Sequence, residues 1–450
     1  MNMKKISIQR MLARVSPIQV LVAGYIIIII GGSLILRLPL ASSNGNSQQY
    51  IDALFTSTSA VSTTGLIVVD TGTFYSLFGQ TVILFLFQIG GLGYMAFVVL
   101  MIYVLGRRLS LVSAVTLQES LSGITLGNMK KYLKAVFLFT FLFEGMGAFF
   151  LTLYWVQHFS LSKSIYLGVF HSVSAFCTSG FSVFRDSLTA YQTNWVITGV
   201  ICTLSMAGGV GFIVLADTRS HITKKIHNVR PSYLLIHTRM ALLLSTFFIA
   251  AGTVVIFLSE KELLLPLRLY ASIFQSISAS STTGFNTLDI GGLSQTSLFM
   301  IIVLMFVGAS PGGSGGGIKV TAFGTMVLSV WALLKGRKDV NLFGRRIPSD
   351  TVWKSFSVGL LAAVWVVIIT MILTVTEEQT FLTVLFEVVS AIGTVGLSTG
   401  ITPVLSSAGK FFIIITMVIG RVGPLAIAFS LIGDSKPVDY RYAEEEVFIG

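Results

Sequence analysis

Long apolar runs alternate with shorter, half-polar ones along most of the chain. Seven uninterrupted long runs cover about 17–40, 77–105, 132–159, 195–216, 240–258, 352–375 and 411–432. Each holds about 20 or more mostly apolar residues, enough for a helix to cross about 30 Å of hydrocarbon. An eighth run, 298–334, is long enough but interrupted. Four shorter segments, 49–62, 161–177, 263–281 and 379–393, each fall between two long ones. Their trimmed apolar cores of about 10–14 residues suit re-entrant or interfacial helices. The pattern therefore predicts an all-α integral membrane protein with eight transmembrane helices and four re-entrant pore helices.

The four short segments repeat one another. Phe55, Ser59, Ala60, Thr63, Gly65 and Leu66 stand at the same spacing as Phe170, Ser174, Ala175, Thr178, Gly180 and Phe181. Phe274, Ser278, Ala279, Thr282, Gly284 and Phe285 repeat it, as do Phe386, Ser390, Ala391, Thr394, Gly396 and Leu397. Such internal repetition marks one structural unit used several times. Here the unit is helix, short outer helix, Gly-containing loop, helix, with repeats at 17–110, 111–230, 231–345 and 346–433. Four units in one chain can surround a pseudo-fourfold axis. Non-helical backbone at membrane depth must be buried in protein or line a watery cavity. Four loops closing on an axis meet that condition, and their carbonyls can replace the water shell of a small cation. The expected filter comprises Thr63, Thr64 and Gly65; Thr178, Ser179 and Gly180; Thr282, Thr283 and Gly284; and Thr394, Val395 and Gly396.

The helix after each loop also carries glycines, at Gly90, Gly208 and Gly420. The third repeat departs furthest, with Gly308, Ser310, Pro311, Gly312, Gly313, Ser314, Gly315, Gly316 and Gly317, followed by Lys319. At about 1 kcal/mol per Gly and about 3 for Pro, no continuous helix survives there. Apolar segments too short to cross alone flank it, so 308–317 is expected as an intramembrane loop facing the pore. Arg421 lies in the last apolar run. A charge at the centre of a membrane helix costs about 2.5–3.5 kcal/mol on insertion scales, so it should face the cavity and find partners. The expected partners are carbonyls of the loop and the hydroxyls of Ser310 and Ser314, and the loop with Lys319 and Arg421 forms the expected gate.

Composition narrows the class. Hydrophobic residues make up 54% of the 450 and charged residues 11%, too few charges to cover a soluble core; the mean hydropathy is +0.85. The net charge of +11 sits in short blocks between apolar runs, which reads as membrane topology rather than nucleic-acid binding. Most Lys and Arg fall in the N-terminal arm 1–16, three alternate loops and the tail 434–450. By the positive-inside rule both termini are cytoplasmic in a multi-pass cell-membrane protein. Cys177 and Cys202 cannot build a disulfide framework or a metal cluster. Ile318 between Gly317 and Lys319 breaks any phosphate-loop spacing, so no nucleotide site is expected in this chain. An enzyme would have to draw on His171, Glu144 and Glu387, which lie in different units without a motif.

With these features the chain resembles the Trk/Ktr/HKT superfamily of potassium transporters, and among its branches the bacterial Ktr membrane subunits most. Trk proteins usually carry two further N-terminal helices, for which 1–16 has no room; plant HKT proteins often have Ser where Gly65 stands. The resemblance implies a potassium uptake subunit that conducts K⁺ down its gradient, stimulated by Na⁺. It implies a homodimer with one pore per subunit, gated by a cytosolic KtrA-like ring of RCK-type subunits that binds the nucleotide. It places the filter and gate on the residues named above. Because each loop has a single Gly, fewer carbonyl layers form than in a potassium channel, and selectivity should rest on fewer sites. The rival reading is an alternating-access cation transporter, which broken helices also suit.

Overall fold

The computed structural model describes residues 17–92, 129–228 and 233–425, with positions 427, 428, 443 and 445. The expected N-terminal arm, the second half of the run 77–105, the start of the second repeat, Arg230 and nearly all of the tail lie outside the described residues.

The described chain is mostly helical. Each quarter begins with a long helix and a short one: α1 (Pro17–Leu36) with α2 (Tyr50–Val61), α4 (Met129–Trp155) with α5 (Leu161–Phe176), α8 (Ile236–Ser259) with α9 (Leu265–Ser280), and α12 (Ser349–Thr376) with α13 (Phe381–Gly393). A loop then leads to α3 (Leu77–Gly91), α6 (Trp195–Val210), α10 (Gln295–Phe306) or α14 (Ser407–Val422). These four helices share a start signal. The side chains of Ser76, Asn194, Ser294 and Ser406 accept from Gly79 N, Val196 and Ile197 N, Ser297 N and Gly409 N, satisfying amides that a helix leaves unpaired.

Among the described residues α4, α8 and α12 are long and apolar enough to cross a membrane. Apolar side chains stay exposed on their outer faces, including Phe141, Phe247, Met371 and Val375, as a lipid-facing surface requires. The repeated Phe, Ala and large apolar positions of the short segments are buried instead: Phe55, Phe170 and Phe386 are fully enclosed, as are the four alanines. Their residue types recur because they form the core behind the loops. The quarters interlock, since Phe274 and Phe285 join the core of the second quarter, and Phe55 and Leu66 the core that the third and fourth share. α14 packs on α2, closing the circle from last to first. A partly buried ion pair there joins Lys410 Nζ to Asp52 Oδ1 at 2.7 Å.

Two expectations need correction. The run 195–216 is not one continuous helix: α6 ends at Val210, and α7 (Phe212–Ile226) leaves at 97°. Gly211 makes the corner at φ +94°, and a Cβ there would lie 2.8 Å from the Pro311 carbonyl oxygen, so the glycine loop of the third quarter occupies the inside of the bend. The run 411–432 is broken: α14 ends at Val422 before Gly423 at φ +99°, and Pro424, Leu425, Ile427 and Ala428 are helical again beyond it. Two short pairings add to the helices without changing the class, parallel between β1 (Val307–Gly308) and β2 (Ile318–Lys319), and antiparallel between β3 (Asn341–Leu342) and β4 (Arg345–Arg346).

Candidate ion pathway

The four short helices end alike. Thr63, Thr178, Thr282 and Thr394 take left-handed backbone, with φ of 52°, 51°, 56° and 48°. Each Thr amide donates to the carbonyl of the alanine three residues before it, and the next amide donates to the serine carbonyl five residues before it. A β-branched residue in this region is a genuine outlier, costing on the order of 1–3 kcal/mol and surviving only where its surroundings over-determine it. The repeated serine supplies part of that constraint. Ser59 and Ser390 hydroxyls accept from Gly65 N and Gly396 N at 3.0 and 3.1 Å. Ser174 and Ser278 hydroxyls donate to the Phe181 and Phe285 carbonyls at 2.7 and 2.6 Å.

The loops meet in a closed ring. A Cβ added to Gly65 would lie 2.2 Å from the Ser179 carbonyl oxygen; on Gly180, 2.5 Å from that of Thr283; on Gly284, 2.0 Å from that of Val395; and on Gly396, 2.1 Å from that of Thr64. Each glycine thus abuts the next quarter's loop, in the order first, second, third, fourth and back to first. No side chain fits at any of them without moving backbone. The Oγ1 atoms of Thr178, Thr282 and Thr394 are buried without a hydrogen-bond partner. A burial site of unpaired oxygens beside a ring of backbone carbonyls can replace the hydration shell of a small cation.

The glycine loop lies against one face of this ring. A Cβ on Gly315 would strike Thr282 Oγ1 at 2.1 Å, and one on Gly316 would strike Thr394 Oγ1 at 2.3 Å. The Thr63 hydroxyl also donates to the Ser314 carbonyl at 3.2 Å. The loop is pinned to the second quarter through Ser310 N to Gly209 O, Ser314 N to Gly208 O and Phe212 N to Gly312 O, and through the Ser314 hydroxyl to Phe176 O at 3.0 Å. The Lys319 ammonium folds back on the Gly315 carbonyl at 2.5 Å. The loop therefore touches all four quarters.

Arg421 is buried. Its guanidinium donates to the Ser314 carbonyl, the Gly90 carbonyl and the Tyr25 hydroxyl, and Tyr25 in turn donates to the Val61 carbonyl at 2.8 Å. The expected loop carbonyl is present, but the hydroxyls of Ser310 and Ser314 do not serve as acceptors; the Ser314 hydroxyl is turned to Phe176. Gly90 and Tyr25 were missed. Tyr25 had a sequence signal, a phenol inside an aliphatic helix, where a buried O–H needs a partner. The glycines after each loop have a common use. A Cβ on Gly90, Gly208 or Gly420 would fall 2.1, 1.9 or 2.1 Å from the carbonyl of Val61, Phe176 or Ile392, so each admits the end of its own short helix.

The acid–base candidates do not converge. Glu144 accepts from the Gln88 amide at 3.1 Å, while His171 and Glu387 sit behind the loops of different quarters.

The comparisons with known proteins decide the family. The model of the TrkH family, described as cation transport protein, matches residues 14–436. The chain belongs to that family. It is thus a membrane transport protein and not an enzyme. The Ktr system potassium uptake protein B of Bacillus subtilis is 38% identical over 97% of both chains. The potassium/sodium uptake protein NtpJ of Enterococcus hirae is 34% identical, over 98% of this chain and 99% of its own. The fold is also that of the potassium transporter TrkH from Vibrio parahaemolyticus, with a TM-score of 0.71, 19% identity and coverage of 91% of this chain and 83% of that one.

Proposed function

We propose that this TrkH-family protein is the ion-conducting subunit of a potassium uptake system, passing K⁺ through the four-loop ring as its filter. The observation that carries this reading is the closed cycle of glycine contacts with unpaired threonine oxygens beside it. The potassium uptake named for its relatives supports the choice of ion. The four quarters are then membrane–pore–membrane repeats, with α2, α5, α9 and α13 as re-entrant pore helices. Their C-terminal ends, carrying partial negative charge, favour a cation on the axis.

The loop 308–317 is the gate, held shut by Arg421 and Lys319. Their positive charges add an electrostatic barrier to the steric one. Opening requires the loop to leave the ring, and its glycines offer many backbone states of similar energy. A cytosolic RCK-type nucleotide-binding ring drives that motion, Na⁺ stimulates uptake, the subunit works as a homodimer in the cell membrane, and both termini are cytoplasmic. The Ktr system named for the relatives supports a separate partner subunit. Flux from purified protein in liposomes under K⁺, Na⁺ and Rb⁺ gradients tests the reading. K⁺ and Rb⁺ should pass faster than Na⁺ without added substrate; equal rates for all three would overturn it, and saturation at a few hundred ions per second would favour alternating access.

A further inference from the structure

Behind the filter loops, the residue after each repeated Phe is polar and buried: Thr56, His171, Gln275 and Glu387 are each no more than 1% exposed. A buried polar group costs stability unless it is hydrogen-bonded, so its partners show what it is for. Glu387 accepts from the Ser398 hydroxyl at 2.9 Å and also from the Thr402 hydroxyl. The Ser398 hydroxyl oxygen accepts in turn from Gly400 N at 3.0 Å. His171 Nε2 is 3.0 Å from the Ser182 hydroxyl, and its Nδ1 is 2.9 Å from the Leu167 carbonyl oxygen.

Ser182 and Ser398 occupy the same place, two residues beyond the filter glycines Gly180 and Gly396, on the chain leaving the ring. The other two quarters lack this contact. Ile67 stands at the position in the first, where Thr56 instead accepts from Tyr75 at 3.2 Å. In the third the position is Asn286, whose amide donates to the Leu288 carbonyl, and both polar atoms of the Gln275 amide have no partner. The contact around the ring places the second and fourth quarters opposite each other. The braced loops are thus a diagonal pair.

We propose that Glu387 and His171 are positioning residues for ion selectivity, holding the outer ends of two opposed filter loops through Ser398 and Ser182. The inference rests on the filter reading above and gives it a twofold character: beyond the serine that holds every loop, two loops have a strut from the residue after the repeated Phe and two do not. The strut matters because each loop offers one short stretch of regular carbonyls, and a wider ring loses the distinction between a larger cation and a smaller, more strongly hydrated one. Glu387 is the stronger strut, since its two oxygens take two hydroxyls where an amide of the same shape offers one acceptor.

The test is the K⁺-to-Na⁺ flux ratio of the full-length protein in liposomes for Glu387→Gln, Ser398→Ala, their combination, Gln275→Leu and Gly284→Ser. Glu387→Gln and Ser398→Ala should each lower the ratio about 5–20-fold, which is about 1–2 kcal/mol at about 1.4 kcal/mol per tenfold, and the combination should lower it no further. Gln275→Leu removes an unpartnered amide and should change it less than twofold. A wild-type ratio in Glu387→Gln together with a lowered one in Gly284→Ser overturns the strut and leaves the filter reading standing. Unchanged ratios in both overturn the filter reading itself. Fully multiplying losses in the double variant, or a loss in Gln275→Leu as large as in Glu387→Gln, would mark independent packing effects and also overturn the strut. If Glu387→Gln fails to fold, Ser398→Ala and His171→Gln carry the same comparison against Gln275→Leu.

Discussion

Thr63, Thr178, Thr282 and Thr394 show what the residue scale demands. A β-branched side chain at positive φ is strained, yet four copies adopt it. Asn or Gly would relieve the strain but would remove the branched hydroxyl beside the ring. The glycines two residues later have the opposite constraint, no tolerance for a side chain. Gly284→Ser, whose Cβ would collide with the Val395 carbonyl, should therefore lower K⁺ preference over Na⁺ by at least tenfold in liposome flux; an unchanged ratio would remove that glycine from the filter. Arg421→Ala removes three hydrogen bonds around Ser314, Gly90 and Tyr25. It should raise basal K⁺ flux several-fold without changing the ion preference, readable in the same vesicles.

At the scale of elements, the apolar runs and the fourfold motif were legible because each repeats a local chemical need. The short helices and the break in the third quarter follow from run length and residue type; the side-chain caps that start α3, α6, α10 and α14 went unread. The corner at Gly211 was not legible. Gly211 closes the cluster Gly208-Gly209-Val210-Gly211, which suits close helix packing as well as a bend, and what turns the chain there is the loop of another quarter pressing in through Pro311 and Gly313. For the same reason the acceptors of Arg421 were only half read: the loop carbonyl could be expected, whereas Gly90 comes from a helix some 330 residues away in the chain. Removing residues 309–316 takes away the segment lying under the ring. This deletion should raise K⁺ flux more than Arg421→Ala does and reduce its dependence on a regulatory partner. A folded, membrane-inserted deletion variant conducting no faster than wild type would end the gate assignment.

For the whole molecule, the ring closes only if the fourth quarter reaches the first, through α14 on α2 and the Lys410–Asp52 pair. Removing one partner of a well-buried pair costs about 3–5 kcal/mol; with some solvent access here, Lys410→Met should cost less, lowering the thermal unfolding temperature of detergent-solubilised protein measurably. An unchanged unfolding temperature would make the contact incidental. The basic loops carry a positive-inside signal, but charge alone names no partner. Neutralising Lys224 and Lys225, both exposed at the end of α7, should weaken binding of a cytosolic regulatory ring in a titration at low salt, and equal affinity would remove α7 from that interface.

Since one chain supplies all four quarters, they need not be alike. An assembly of four identical subunits would bring four copies of any inserted loop to the axis, where there is room for one. Tandem repetition lifts that restriction: a single copy can diverge at the axis, one neighbour can bend around it at Gly211, and its other neighbour can supply the arginine that holds it. The asymmetry that makes such a loop sterically feasible is thus inherited from the gene's architecture.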